Sequence, residues 1–215
     1  MLELLTGAGL AMSAGLNAYI PLLILGLAGR YLDFIHLPQA AHWLSNGWVL
    51  LILGVLLVVE VVADKVPVVD TVNDVVQTVV RPTSGGIAFG TGAAAQTAVV
   101  SDPGQFFTSD AWLPIALGVV TALTVHGGKA AIRPAADASS AGFAAPVLSV
   151  VEDVGSVAMS IAAILAPILI LLAIGAFVVG GFYAWRGYRG FKARRAAARE
   201  RRAQARQRRA TRRGG

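Results

Sequence analysis

The sequence contains no cysteine. Disulfides, thiol nucleophiles and zinc–thiolate centres are therefore excluded. Histidine is almost as scarce, with three residues scattered along 215 positions, which argues against an imidazole-built transition-metal centre. Charge is the third shortage. Only 14% of residues are Asp, Glu, Lys or Arg, where soluble domains carry about a quarter. Nothing matches a nucleotide-binding loop, a nucleophile triad or a standard metal spacing. "FGTGAAAQ" (89–96) holds a GxG, but it lacks the third glycine and sits in an apolar run. Neither a cofactor nor enzymatic chemistry is expected.

Apolar residues fill the gap. The chain is 56% hydrophobic with a mean hydropathy of +0.67. Unbroken runs such as "WVLLILGVLLVV" (48–59) predict an all-α, polytopic transmembrane helical bundle. At about 20 residues per span, the length allows about five spans plus one or two amphipathic or re-entrant helices. The first span is read as Leu4 to Ala28, with Gly7, Ala11 and Gly15 at a spacing that admits a close neighbour. It lacks a basic leading region and outruns signal-peptide length, so it reads as a span rather than a cleaved signal. Trp43 and Trp48 suit a membrane interface. Further spans are read at Trp48–Ala63, at 82–100 with a Gly86/Gly90 contact, at Ala111–Val125 and at Val154–Trp185. Residues 1–185 then form one membrane domain.

The net charge of +6 conceals a split: thirteen of the 18 Lys and Arg lie from Arg186 onward, opposed only by Glu200. Residues 186–215 read as a basic, disordered tail that would touch anionic lipid headgroups, at about 1 kcal/mol per basic residue near the surface. Nucleic acid is not the expected partner, because Phe182, Tyr183, Trp185, Tyr188 and Phe191 look like an interfacial anchor rather than a stacking platform. The tail predicts a cytoplasmic C-terminus in a bacterial plasma membrane, and an odd number of spans would place the N-terminus outside. The lipid bilayer is the expected environment, and a homo-oligomer is compatible with the pattern.

Against this background the ionisable residues stand out. "EVVADKVPVVDTVNDVVQTVVRPTSGG" (60–86) sets Glu60, Asp64, Lys65, Asp70, Asp74 and Arg81 among valines. Asp70, Asp74, Gln77 and Arg81 fall at offsets 0, 4, 7 and 11, one face of a helix. That spacing predicts an interfacial or re-entrant helix of about 16 residues after the second span. Glu60 and Asp64 lie one turn apart on the same side. A second group is His126, Lys129, Arg133 and Asp137, where Gly127-Gly128 and Pro134 are positioned to break the helix. His126 is a candidate proton relay, with capping or solvation at a helix end as the plainer role. A third is Ser149, Glu152, Asp153 and Ser156, a polar stripe leading into an apolar helix. There the carboxylates could cap a helix N-terminus or meet a cation or basic partner. Asn17, four residues before Pro21, marks an irregularity within the first span and fits helix packing or ligand coordination.

Two segments echo one another. "SAGLNA" (13–18) and "SAGFAA" (140–145) agree at four of six positions, each with a proline following, and Arg-Pro occurs at 81–82 and 133–134. Bundles built from related halves often place a site at the repeat interface.

"AGLNAYIPLLILGL", "EVVADKVPVVDTVNDVVQTVVRPTSG", "GGKAAIRP" and "SVVEDVGS" together resemble a bacterial integral membrane family, the domain of unknown function 4126, over about residues 5–180. Asn17, Pro21, Glu60, Asp64, Lys65, Asp70, Asp74 and Arg81 fit its pattern, while Ala144 and Ala145 stand where a more polar pair would be expected. The resemblance implies a membrane protein and carries no activity. Function is expected to be that of a small transporter or channel. Its ion or solute site would draw on Asn17, Glu60, Asp64, Lys65, Asp70, Asp74, Arg81, His126, Lys129, Arg133, Glu152 and Asp153. The alternative is a structural or assembly protein whose charge pairs fix helix packing.

Overall fold

The computed structural model describes residues 1–64, 67–97, 112–140, 144–183 and Arg186, with backbone alone for 67–71, 74, 132–140, 144 and 145. These residues are helical: α1 (Leu2–Leu16), α2 (Ile20–Tyr31), a 3-10 turn (Gln39–Ser45), α3 (Gly47–Ala63), α4 (Pro67–Ala94), α5 (Trp112–Ser140), α6 (Ala144–Leu165) and α7 (Pro167–Tyr183). Among the described residues there is no strand, only an antiparallel bridge between His36 and Gln96. Met1–Leu172 form one compact unit, and a second unit starts at Ala173. The predicted turn at 101–110, Lys65 and the basic tail beyond Arg186 lie outside the described residues, as do the side chains of Asp70, Asp74 and Arg133.

The bundle is apolar outside and charged inside. On α3, Leu51, Ile52, Val55, Val58, Val59 and Val62 are 55–63% exposed, while Arg81 on α4 is 0% exposed. Such a distribution is costly in water and natural in lipid. Two helices, Trp112–Ala131 and Pro146–Leu165, are long and apolar enough to cross a membrane, and a third arises if the 3-10 turn and α3, bent by 65°, count as one. The apolar helices point to a membrane-embedded protein.

At the centre stands α1, buried along nearly all of its last ten residues and packed against α4, α5 and α6. Small side chains make this possible. A Cβ on Gly7 would meet Phe89 at 2.9 Å, and one on Gly15 would come within 2.6 Å of the Val125 Cβ. Gly9 faces Ala163 in the same way, at 2.7 Å. The spacing of Gly7, Ala11 and Gly15 read from the sequence thus marks the seams α1 shares with α4 and α5, and Gly9, not read there, adds the one with α6. The tightest approach joins α4 to α5, where Gly85 and Gly118 each lie against the other's backbone.

Four expectations are corrected. The first span does not run through from Leu4 to Ala28, because the chain turns extended at Asn17 (φ −142°, ψ 125°) and restarts at Ile20. Asn17 Oδ1 accepts from the backbone N–H groups of Tyr19 and Ile20, at 3.0 and 3.2 Å, and so satisfies the new helix start. Pro21 sits where an N–H would lack a helical partner anyway. Next, the short amphipathic helix and the third span are one 28-residue helix, α4, with Pro82 inside it. The Thr83 hydroxyl, bonded to the Val79 carbonyl at 2.8 Å, supports the backbone beside that proline. Third, α5 continues through Gly127-Gly128 and Pro134. Fourth, the last span begins ten residues earlier than read, and Ala166-Pro167 divides it.

The glycine seams give a direct test. Gly118→Ala would drive its Cβ onto the Gly85 carbonyl and is expected to cost about 1–3 kcal/mol. Gly54→Ala, with nothing within 4 Å of the new atom, is expected to be neutral or to gain about 0.5–1 kcal/mol. Unfolding of the two variants in detergent, followed by circular dichroism, checks both signs.

Candidate functional site

Of the polar stripe of α4, the two members with described side chains, Gln77 and Arg81, face inward as the spacing predicts, and Ser84 joins them. Gln77, Arg81 and Ser84 are buried, whereas Val72, Val75, Val76 and Val79 are 53–70% exposed. Arg81 is therefore carried into the centre of the bundle with no solvent to receive its five N–H groups. The protein supplies acceptors from three directions. Arg81 Nη2 donates to Glu60 Oε1 of α3 at 2.9 Å, Nη1 to the Gly15 carbonyl at 3.1 Å, and Nε to Gln77 Oε1 at 3.4 Å. The Gly15 carbonyl belongs to the last turn of α1, where helical partners run out and a cation is favoured. The Ser84 hydroxyl likewise takes the Ala18 carbonyl in the break that follows. The chain break at Asn17 and the buried arginine thus supply each other's missing partners.

Asp64 caps the end of α3 one turn beyond Glu60 and is 3% exposed. Asn73 Nδ2 donates to its Oδ1 at 2.7 Å, and the Ser149 hydroxyl lies 3.5 Å from its Oδ2. Lys129 of α5 reaches the same place. Its Nζ lies 2.8 Å from Glu152 Oε2 and 3.8 Å from Asp64 Oδ2, so the ammonium is shared unequally between α6 and α3. Asp153 Oδ1 accepts from Asn17 Nδ2 at 2.9 Å. Glu60 lies within electrostatic range of Arg81, Asp64 and Lys129, which makes the two ion-pair groups one network.

Of the twelve residues singled out in the sequence, seven meet in this network: Asn17, Glu60, Asp64, Arg81, Lys129, Glu152 and Asp153. His126 is close by and buried, and its Nε2 lies 3.3 Å from the Thr78 hydroxyl. It sits within α5, not at a helix end, so neither capping nor simple solvation describes it. Glu152 and Asp153 likewise do not cap a helix start, because α6 begins two turns earlier and has no acid in its first turn. Lys65, Asp70, Asp74 and Arg133 are the four whose side chains lie outside the described residues.

Sequence reasoning missed Asn73, Ser13 and Ser160. Asn73 is off the acidic stripe by one position, and its role shows only in its bond to Asp64. The Ser13 hydroxyl lies 2.7 Å from those of both Ser156 and Ser160, forming a buried hydroxyl seam between α1 and α6. Ser13 stands one turn before Asn17, and Ser160 extends the Ser149 stripe by one more turn, so a longer periodicity window would have found both. The one cavity described, about 290 Å³ between the 3-10 turn, α4 and α5, is lined by Pro38, Trp43, Gly86, Gly90, Thr91 and Ile115 among others and touches none of these charges.

Removing one member of the buried pair exposes the energetics. Glu60 and Arg81 side chains are 1% and 0% exposed, and stranding either charge is expected to cost about 3–5 kcal/mol. Glu60→Gln with Arg81→Gln should lose less than the two single changes together. A double-mutant cycle of unfolding in detergent measures this, and strict additivity would show the pair to be uncoupled.

No curated protein and no solved structure matches the chain. Residues 4–187 match the family described as Domain of unknown function (DUF4126), and with most of its length covered and its buried charges falling inside the matched region, the chain belongs to that family.

Proposed function

We propose that the protein is a small multi-pass carrier or channel of the bacterial plasma membrane, passing a small ion or polar solute by way of the acid–base network. The observation that supports this reading is the meeting of Glu60, Asp64, Arg81, Lys129, Glu152 and Asp153 from four helices beside a broken helix. Ionisable groups facing a bundle interior at membrane depth mark ion or solute pathways, and interrupted helices are where carriers bind their cargo. Glu60 and Asp64 would couple charge to movement. Arg81 and Lys129, with Lys65 and Arg133, would lock the acids or receive anionic groups. Glu152 and Asp153, which keep partial exposure, would form the accessible rim.

A second reading, a structural protein whose charge pairs fix helix register, draws on Arg81, which is wholly buried and held by three partners. Gradient-driven flux in proteoliposomes separates the two. Under the carrier reading, wild type moves an ion or solute, and Glu60→Gln, Asp64→Asn and Glu152→Gln together abolish that movement. Flux that survives the triple change, or its absence from folded wild type across a broad solute panel, selects the structural reading.

The topology we propose has about five crossings, a cytoplasmic tail in contact with anionic headgroups and an N-terminus on the opposite face. Single cysteines introduced at position 2 and in the tail are expected to label from opposite sides with an impermeant maleimide. The cysteine-free sequence supplies a clean background. Labelling from one side would make α7 a crossing in its own right.

A further inference from the structure

The Gly86/Gly90 contact expected from the sequence is only half made. A Cβ on Gly86 would press on Ile115 and Val119 of α5 at 3.1 Å, whereas one on Gly90 would meet a single atom, Ile115 Cγ1, at 3.7 Å. Gly90 opens instead on the cavity of about 290 Å³ between the 3-10 turn, α4 and α5. The floor of this cavity is buried, with Ala41, Gly86, Thr91 and Pro114 among its residues. Two lining residues stand half exposed at its edge, Trp43 at 46% and Ile115 at 48%, so the cavity opens outward. The opening lies at the end of an apolar helix. The stretch of α5 fit to cross a membrane starts at Trp112, and Ile115 is in its first turn. Trp43 and the 66% exposed Trp112 carry the amphipathic rings that settle at headgroup level. Thr91 adds a polar atom. It is 5% exposed and lines the cavity, yet its hydroxyl makes no hydrogen bond to any described residue. Thr83 and Thr124 show the usual alternative, since each gives its hydroxyl to the carbonyl four residues back. A buried hydroxyl without an acceptor is costly, and one that faces an opening can find its acceptor in a ligand.

We propose that this cavity takes one acyl chain of a membrane glycerophospholipid, with the Thr91 hydroxyl donating to an ester carbonyl of that lipid. The lining fits an alkyl chain. Apart from the Thr91 hydroxyl and the Trp43 N–H, its side chains carry no polar atom, so a free ion or a polar solute would find few partners. The size fits as well. About 290 Å³ stands at the bottom of the range for small-molecule sites. A helix of a second copy, about 10–12 Å across, is too thick for it. Depth agrees with the chemistry. Thr91 stands one turn before the end of α4, and the ester linkages of a glycerolipid lie at the rim of the hydrocarbon core. The inference is independent of the carrier reading, because the cavity touches none of the buried charges.

The test is the unfolding midpoint of the full-length protein in uncharged detergent, read by tryptophan fluorescence as phosphatidylcholine is titrated in. That lipid is zwitterionic, so the basic tail adds no electrostatic attraction of its own. The diester form is compared with its diether analogue, which has the same chains and headgroup but no ester carbonyl. Wild type is expected to show a saturable rise of the midpoint. The rise should be half complete at a mole fraction about two- to tenfold lower for the diester, the gain of one hydrogen bond. Gly90→Leu fills the cavity and should raise the half-saturating fraction of both lipids by about tenfold or more. Gly54→Leu, at a position of α3 with nothing within 4 Å of an added Cβ, should leave it unchanged. Thr91→Val keeps the shape of the side chain and should erase only the difference between diester and diether. That comparison serves if Gly90→Leu fails to fold. A midpoint that ignores lipid would overturn the proposal, as would a lipid response that Gly90→Leu leaves intact or equal responses of wild type to diester and diether. A change of oligomeric mass in Gly90→Leu, read by light scattering, would place a second copy in the cavity and overturn it too.

Discussion

A guanidinium that reaches no solvent must find acceptors in the protein, and much of this bundle is arranged around that demand. Arg81 collects a carboxylate from α3, an amide from its own helix and a backbone carbonyl from the end of α1. The carbonyl is available because α1 stops at Leu16, where Asn17 turns extended and its Oδ1 accepts from the backbone N–H groups of Tyr19 and Ile20. Stopping one helix therefore solves the hydrogen-bonding problem of another. The price in helix continuity is small where Asn17 and Ser84 cover the interrupted backbone.

The same constraint explains how α3 is held. Only Leu53 and Glu60 are buried within it, and most of its apolar surface faces outward. Apolar side chains gain little by choosing protein over lipid, so area burial is a weak glue inside a membrane. Polar contacts at the end of α3, through Glu60 and Asp64, carry a share of the attachment that a soluble helix would leave to its hydrophobic stripe.

Much of this was legible in the sequence, for identifiable reasons. The half of the α4 stripe that is described could be read because polar residues inside an apolar helix have to share a face, and Gln77 and Arg81 do. The small-residue spacing of α1 could be read because close helix approach admits little else at Gly7 and Gly15. Breaks were harder. Proline interrupts a helix only when neighbouring groups fail to cover the freed backbone. Pro82 and Pro134 lie within helices, whereas Pro21 sits just after a break that Asn17 makes. Partner choice was harder still. Lys129 meets Glu152 and Asp64 across 23 and 65 positions of sequence, and no local periodicity encodes such a pairing.

The placement of α1 has a consequence for how the bundle closes. α1 is enclosed by α4, α5 and α6, with Ser13 joined to Ser156 and Ser160 and Asn17 joined to Asp153. Those partners lie some 140 residues further along the chain. Translation runs from N to C, so α1 is made well before α6, and its buried serine and asparagine reach their final partners only once α6 exists to supply them.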